Sequence, residues 1–110
     1  MGKWATYRLR GTAQPGERLR VLPDSASQEA TGFGNIGIVW VSDVNPTLWE
    51  WELWRNAIGD TLEATNTSGA ANRSVNTGRF QFLVGTSQSR VRAQQGSFWG
   101  PWINTEITTW

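Results

Sequence analysis

The strongest constraint in this sequence is a period of two. Ile36, Ile38 and Trp40 recur at every second position, Trp49, Trp51 and Leu53 alternate with Glu50, Glu52 and Trp54, and Phe80, Phe82 and Val84 repeat the spacing. Successive side chains of a β-strand point to opposite faces, so each run predicts a half-buried strand with the named residues inward. No window holds apolar residues at i, i+3, i+4 and i+7 for three turns, and helix is therefore not the organising period. Weaker strands are predicted over Thr6–Arg10, Arg18–Leu22, Thr61–Thr65, Ser89–Gln94 and Trp102–Thr109, which are rich in β-branched or alternating residues. Turn residues separate them at Gln14–Pro15–Gly16, Thr31–Gly32–Phe33–Gly34–Asn35, Asn45–Pro46–Thr47, Gly59–Asp60 and Gln95–Gly96–Ser97. The segment Asn66–Gly78, with Val75 its single hydrophobe, reads as an exposed loop or an irregular edge strand.

Short strands of this kind without a strong helix, in a chain of 110 residues, predict one all-β domain built as two antiparallel sheets packed face to face. A closed small barrel is the alternative. With no Cys and no His, thiol nucleophiles, thiolate or imidazole metal sites, Ser-His and Cys-His catalytic arrangements and a histidine pH switch are excluded. No cofactor, metal or catalytic residue is expected. The formal charge of +1 is far from the concentrated positive field that phosphate backbones reward, so nucleic acid is not an expected partner. No run approaches the roughly 20 apolar residues of a membrane span, and no apolar core of a signal peptide is legible near Met1. The chain reads as complete and made in the cytoplasm.

The order of these runs resembles a fibronectin type III domain across roughly Pro15–Trp110. Leu19–Arg20–Val21 looks like that family's first strand, and Gly37–Ile38–Val39–Trp40 like its second, which carries the central core Trp. Trp49–Glu50–Trp51–Glu52–Leu53–Trp54–Arg55 is similar to the third, Phe80–Gln81–Phe82–Leu83–Val84–Gly85–Thr86 to the fifth with its Gly-Thr turn, and Arg90–Val91–Arg92–Ala93 to the sixth. Gly96–Ser97–Phe98–Trp99–Gly100–Pro101–Trp102 resembles the bend before the last strand. The family's Tyr after the Gly-Thr turn is missing, its place falling among Ser87, Gln88 and Ser89. The resemblance implies a binding surface or spacer, as found in extracellular proteins, secreted bacterial glycosidases and tailed-phage virions, and brings no chemistry of its own. Residues 1–14 exceed the module at 15–110 and are expected to form an arm or an extra N-terminal strand, pairing with an edge of its own sheet or with a neighbouring copy.

Eight Trp exceed what one small core should use. Trp40, Trp49 and Trp51 are expected inside, each burying about 150–250 Å². Trp54 falls opposite to Trp49 and Trp51, beside Glu50 and Glu52, and should face solvent, a sugar, a partner or a neighbouring arginine. The spacing of Glu50 and Glu52 places them about 7 Å apart on one sheet face, with no sign of a desolvating cleft for acid–base work. Trp99 and Trp102 flank a Gly-Pro bend, while Trp4 and Trp110 lie near the termini, where burial is hard to arrange. Nine of the ten basic residues are Arg, and the pairs Arg8/Arg10, Arg18/Arg20 and Arg90/Arg92 are expected on outward faces, paired with Glu17, Glu63 or Glu106 or held for a partner's carboxylates. Asn66–Thr67–Ser68 and Asn72–Arg73–Ser74 match the N-glycosylation pattern but stand without a secretory signal. The candidate partner- or sugar-binding residues are thus Trp54, Glu50, Glu52, Trp99 and Trp102, with Trp4, Tyr7, Arg8 and Arg10 of the arm. The expected role is a non-enzymatic structural or adhesive part of an assembly, with other proteins or copies of itself as partners, such as a capsid, tail or baseplate protein of a phage virion. The competing role is a carbohydrate-binding module of an extracellular protein.

Overall fold

The computed structural model describes residues 23–110. The strands expected at Thr6–Arg10 and Arg18–Leu22, the first-strand assignment Leu19–Val21 and the arm residues Trp4, Tyr7, Arg8 and Arg10 lie outside them. Two antiparallel sheets form a sandwich. The first holds β1 (Ser25–Ala30), β2 (Asn35–Val41) and β5 (Ser74–Phe80) in the order β1-β2-β5. The second holds β4 (Thr61–Gly69), β3 (Leu48–Arg55), β6 (Thr86–Gln95) and β7 (Phe98–Trp99) in the order β4-β3-β6-β7, and the short β8 (Ile103–Asn104) and β9 (Thr108–Thr109) also pair with β6.

The period of two sets the core. Ile36, Ile38 and Trp40 of β2 face Trp49, Trp51 and Leu53 of β3 and Val91 and Ala93 of β6, and all are buried. Trp40 and Trp49 meet between the sheets with ring centroids 5.7 Å apart, tilted by 58°, within the range where aromatic pairs add to their area burial. Gly37 lets β1 and β5 close on β2, because a Cβ there would stand 3.0 Å from Thr31 Cγ2 and 3.2 Å from Glu29 Cγ. At the β3–β4 turn Asn56 adopts φ 65° and donates from Nδ2 to Asp60 Oδ2 at 2.9 Å. That bond, with a second from Thr61, holds the Asp60 carboxyl below its ordinary value.

Three sequence expectations change. Phe80–Val84 is not an inward-facing strand. β5 ends at Phe80, and Gln81–Val84 forms one helical turn, α1. The turn closes at Gly85 (φ 77°), and the Gln81 N–H is held by Gly34 O at 3.0 Å. Only Val84 of the run reaches the core, while Phe82 is 78% exposed. The fifth strand is therefore Ser74–Phe80, so Asn66–Gly78 is the end of β4, a turn and most of β5, both of them edge strands. The first described strand is the polar Ser25–Ala30, which alternation did not reveal.

Gln28 explains why that polar strand belongs here. From β1 its Oε1 accepts from Ser87 Oγ and Ser89 Oγ, both at 2.8 Å, and its Nε2 donates to Ser87 O at 2.9 Å and Thr108 Oγ1 at 3.0 Å. One side chain thus ties the first sheet to β6 and β9 of the second. Ser87 Oγ also accepts from Trp110 Nε1 at 2.8 Å, and Trp110 packs against the core instead of lying uncovered near the terminus. Ser87 and Ser89 are fully buried, so Gln28→Ala should cost about 1–3 kcal/mol of unfolding free energy by stranding their hydroxyls. Urea denaturation checks this against Ser27→Ala on the exposed neighbour, expected within about 0.5 kcal/mol of the parent.

Candidate functional site

The outer face of the larger sheet gathers most of the candidate residues. In β3, Glu50, Glu52 and Trp54 point away from the core set Trp49, Trp51 and Leu53. The β3–β6 register puts Glu50 opposite Arg92 and Glu52 opposite Arg90. Each pair closes at 2.6 Å, from Arg92 Nε to Glu50 Oε1 and from Arg90 Nε to Glu52 Oε1. Trp54 Nε1 donates to the same Glu52 oxygen at 2.8 Å.

The Gly-Pro bend after β7 brings Trp99 and Trp102 over these arginines. The Arg92 guanidinium lies 4.1 Å from the Trp99 ring centroid and 4.4 Å from that of Trp102. Arg90 lies 4.2 Å from Trp102 and 5.9 Å from Trp54. The order along the face is Trp99, Arg92, Trp102, Arg90, Trp54, a ladder of alternating rings and planar cations braced by two carboxylates. Contacts within about 6 Å of a ring are attractive and gain strength as they lose water, and these guanidiniums are only 23% and 26% exposed. The partners of Arg90 and Arg92 are therefore Glu52 and Glu50, not the Glu63 or Glu106 named from sequence; Glu63 binds Arg55 at 2.6 Å, and Glu17 lies outside the described residues.

The ladder joins Trp54, Glu50, Glu52, Trp99 and Trp102 into one array in which one oxygen of each carboxylate and the Trp54 indole N–H are already bonded. A bound sugar would have to share these rings and carboxylates with guanidinium groups already seated on them. Among the described residues no three of His, Cys, Asp and Glu lie together as a metal site.

A second feature escaped the sequence reading. At the end of the sandwich where β2 begins, the Thr31–Gly34 turn and α1 touch through the Gln81 to Gly34 bond. They present Phe33 at 84% exposure, Phe82 at 78%, Leu83 at 61% and Phe80 at 41%. The Phe80 and Phe82 rings stack on each other at 5.6 Å. The available signal was Phe33 set between Gly32 and Gly34, a large ring in a turn that has no inside.

The opposite end is closed by polar bonds. Arg73 donates to the Ser42, Val44, Ala70 and Asn72 carbonyls and to Asn45 Oδ1, at 2.7–3.1 Å, and lies 5.2 Å from the Trp49 ring. Arg73, read from sequence only as the middle of a glycosylation pattern, fastens two loops together.

No protein-family model matches this chain, and no curated protein matches it either.

Arg92→Ala removes two ring contacts and the partner of Glu50, and should lower stability by about 1–3 kcal/mol while raising acrylamide quenching of tryptophan emission. Arg92→Lys should recover only part, since an ammonium lacks the flat surface that two rings hold. Denaturation and quenching measured on the three proteins check both statements.

Proposed function

We propose that the chain is a non-enzymatic β-sandwich module, fibronectin type III-like in build, that serves as a structural or adhesive part of a larger protein assembly. Its docking surface is the aromatic pole formed by Phe33, Phe80, Phe82 and Leu83. The observation that carries this reading is the 84% and 78% exposure of two Phe rings at one end of the sandwich, the most exposed large hydrophobic side chains among the described residues. Contiguous exposed apolar surface of a few hundred Å² marks interaction sites on monomeric folds, and aromatic side chains are enriched at interface centres. The strand order β1-β2-β5 against β4-β3-β6, with Trp40 central, supports the family-like build. A tailed-phage virion is the setting we propose for such a module, from the resemblance of the sequence pattern.

The ladder supports the same choice, because Arg90 and Arg92 each lie against its rings and bind its carboxylates, although Trp99 keeps 41% exposure. In solution, a panel of soluble polysaccharides should leave tryptophan emission of the full chain unchanged, whereas anilinonaphthalene sulfonate should bind and brighten. The dye signal should fall several-fold in Phe33→Ser/Phe82→Ser with no loss of stability, since both rings are outside the core. Saturable quenching by one polysaccharide would overturn the reading in favour of carbohydrate binding.

A further inference from the structure

We infer that the aromatic pole receives the N-terminal segment Met1–Gln14 of a second copy of this chain, so that copies join head to tail. This rests on the pole being a docking surface and names its occupant. Three observations lead to it.

The first is size. The described sandwich is 49 Å long and only 24 × 19 Å across, and a stable protein interface buries about 800 Å² on each partner. Two poles meeting end to end have too little area for that. A segment that covers the pole and continues along the flank of the sandwich does not face the same limit.

The second is charge. Residues 1–22 hold Lys3, Arg8, Arg10, Arg18 and Arg20 against Glu17, a net +4, whereas residues 23–110 hold five arginines against eight carboxylates, a net −3, which together give the formal +1 of the chain. The two parts of one sequence are electrostatically complementary, which favours encounter and fixes orientation. Trp4, Tyr7 and Leu9 provide apolar groups for the Phe surface, and Lys3, Arg8 and Arg10 are interspersed with them. Toward the same end of the sandwich as the pole lie Glu29 near the end of β1 and Asp60 in the β3–β4 turn, together with Arg55, paired with Glu63, and Arg79, bonded to the Glu63 carbonyl.

The third is reach. Pro23 leads into β1 at the end away from the pole, with the Asp24 N–H bonded to Val41 O. The six residues of β1 alone extend about 20 Å, and the pole lies a hairpin beyond. A connection of the length 15–22 spans about 16 Å as a relaxed chain, so the segment would reach its own pole only when stretched. A neighbour's pole can approach without that cost. Segment on pole is a heterologous contact, which builds rings or open chains instead of closed pairs.

The test uses four full-length samples in light scattering over a range of concentrations: the parent chain, the pole variant Phe33→Ser/Phe82→Ser, the segment variant Trp4→Ser/Leu9→Ser, and an equimolar mixture of the two variants. The parent should grow past the dimer as concentration rises, with higher salt opposing growth. Each variant alone should stay monomeric, and the mixture should form dimers and stop there, because one partner keeps a working segment and the other a working pole. A parent that assembles while the mixture remains monomeric would overturn the segment-to-pole contact. A parent that is monomeric throughout would overturn the second copy as occupant, and intact dye binding at the pole in that sample would leave the docking reading standing for a different partner.

Discussion

Strand β3 is hydrogen-bonded along its whole length on both sides, to β4 and to β6, and this double pairing fixes everything else. A slip of one residue would send Glu50, Glu52 and Trp54 inward and bring Trp49, Trp51 and Leu53 to the surface. Burying two unpaired carboxylates is so costly that only one register survives. The core and the ladder are the two faces of that single choice. Trp49 meets Trp40 on one side of the strand, and on the other each outward Glu finds the Arg directly across from it.

The two sheets are closed by different means at different places. The middle is apolar, with Trp40, Trp49, Leu53 and Val91 fully or almost fully buried. The flank is closed by a polar side chain, Gln28, whose amide satisfies two buried hydroxyls of the facing sheet. One pole is sealed by Arg73, which reaches carbonyls of two loops. The other pole gathers Phe33, Phe80, Phe82 and Leu83 with no such guanidinium clasp among the described residues, and that asymmetry gives the molecule a direction.

What the sequence made legible follows from where two requirements agree. In β2, β3 and β6, strand period and burial coincide, so Ile36, Ile38, Trp40, Trp49, Trp51 and Leu53 could be placed by counting. The outward Arg90, Arg92, Glu50 and Glu52 were legible as a face, but their partners were not, because pairing depends on register between strands 38–42 residues apart. Phe80–Val84 misled because three apolar residues at alternate positions fit a strand, while the neighbouring Gly85 and the Gly34 carbonyl favour a turn. β1 was invisible because an edge strand made of Ser, Ala, Gln and Glu is held by tertiary bonds such as those of Gln28. The aromatic pole was missed for the opposite reason, since Phe was assumed to seek the interior.

Pro23 and Trp110 sit toward opposite ends of the long axis: Asp24 bonds to Val41 beside one pole, and Trp110 bonds to Gly85 beside the other. Tension between these two points would run parallel to the strands. The ladder bonds between β1 and β2, and those holding β9 to β6, lie across that direction. They would be sheared together instead of unzipped in turn, and the Gln28 clamp between the sheets would be strained in the same step. A pull applied between Pro23 and Trp110 would thus be met by many bonds at once.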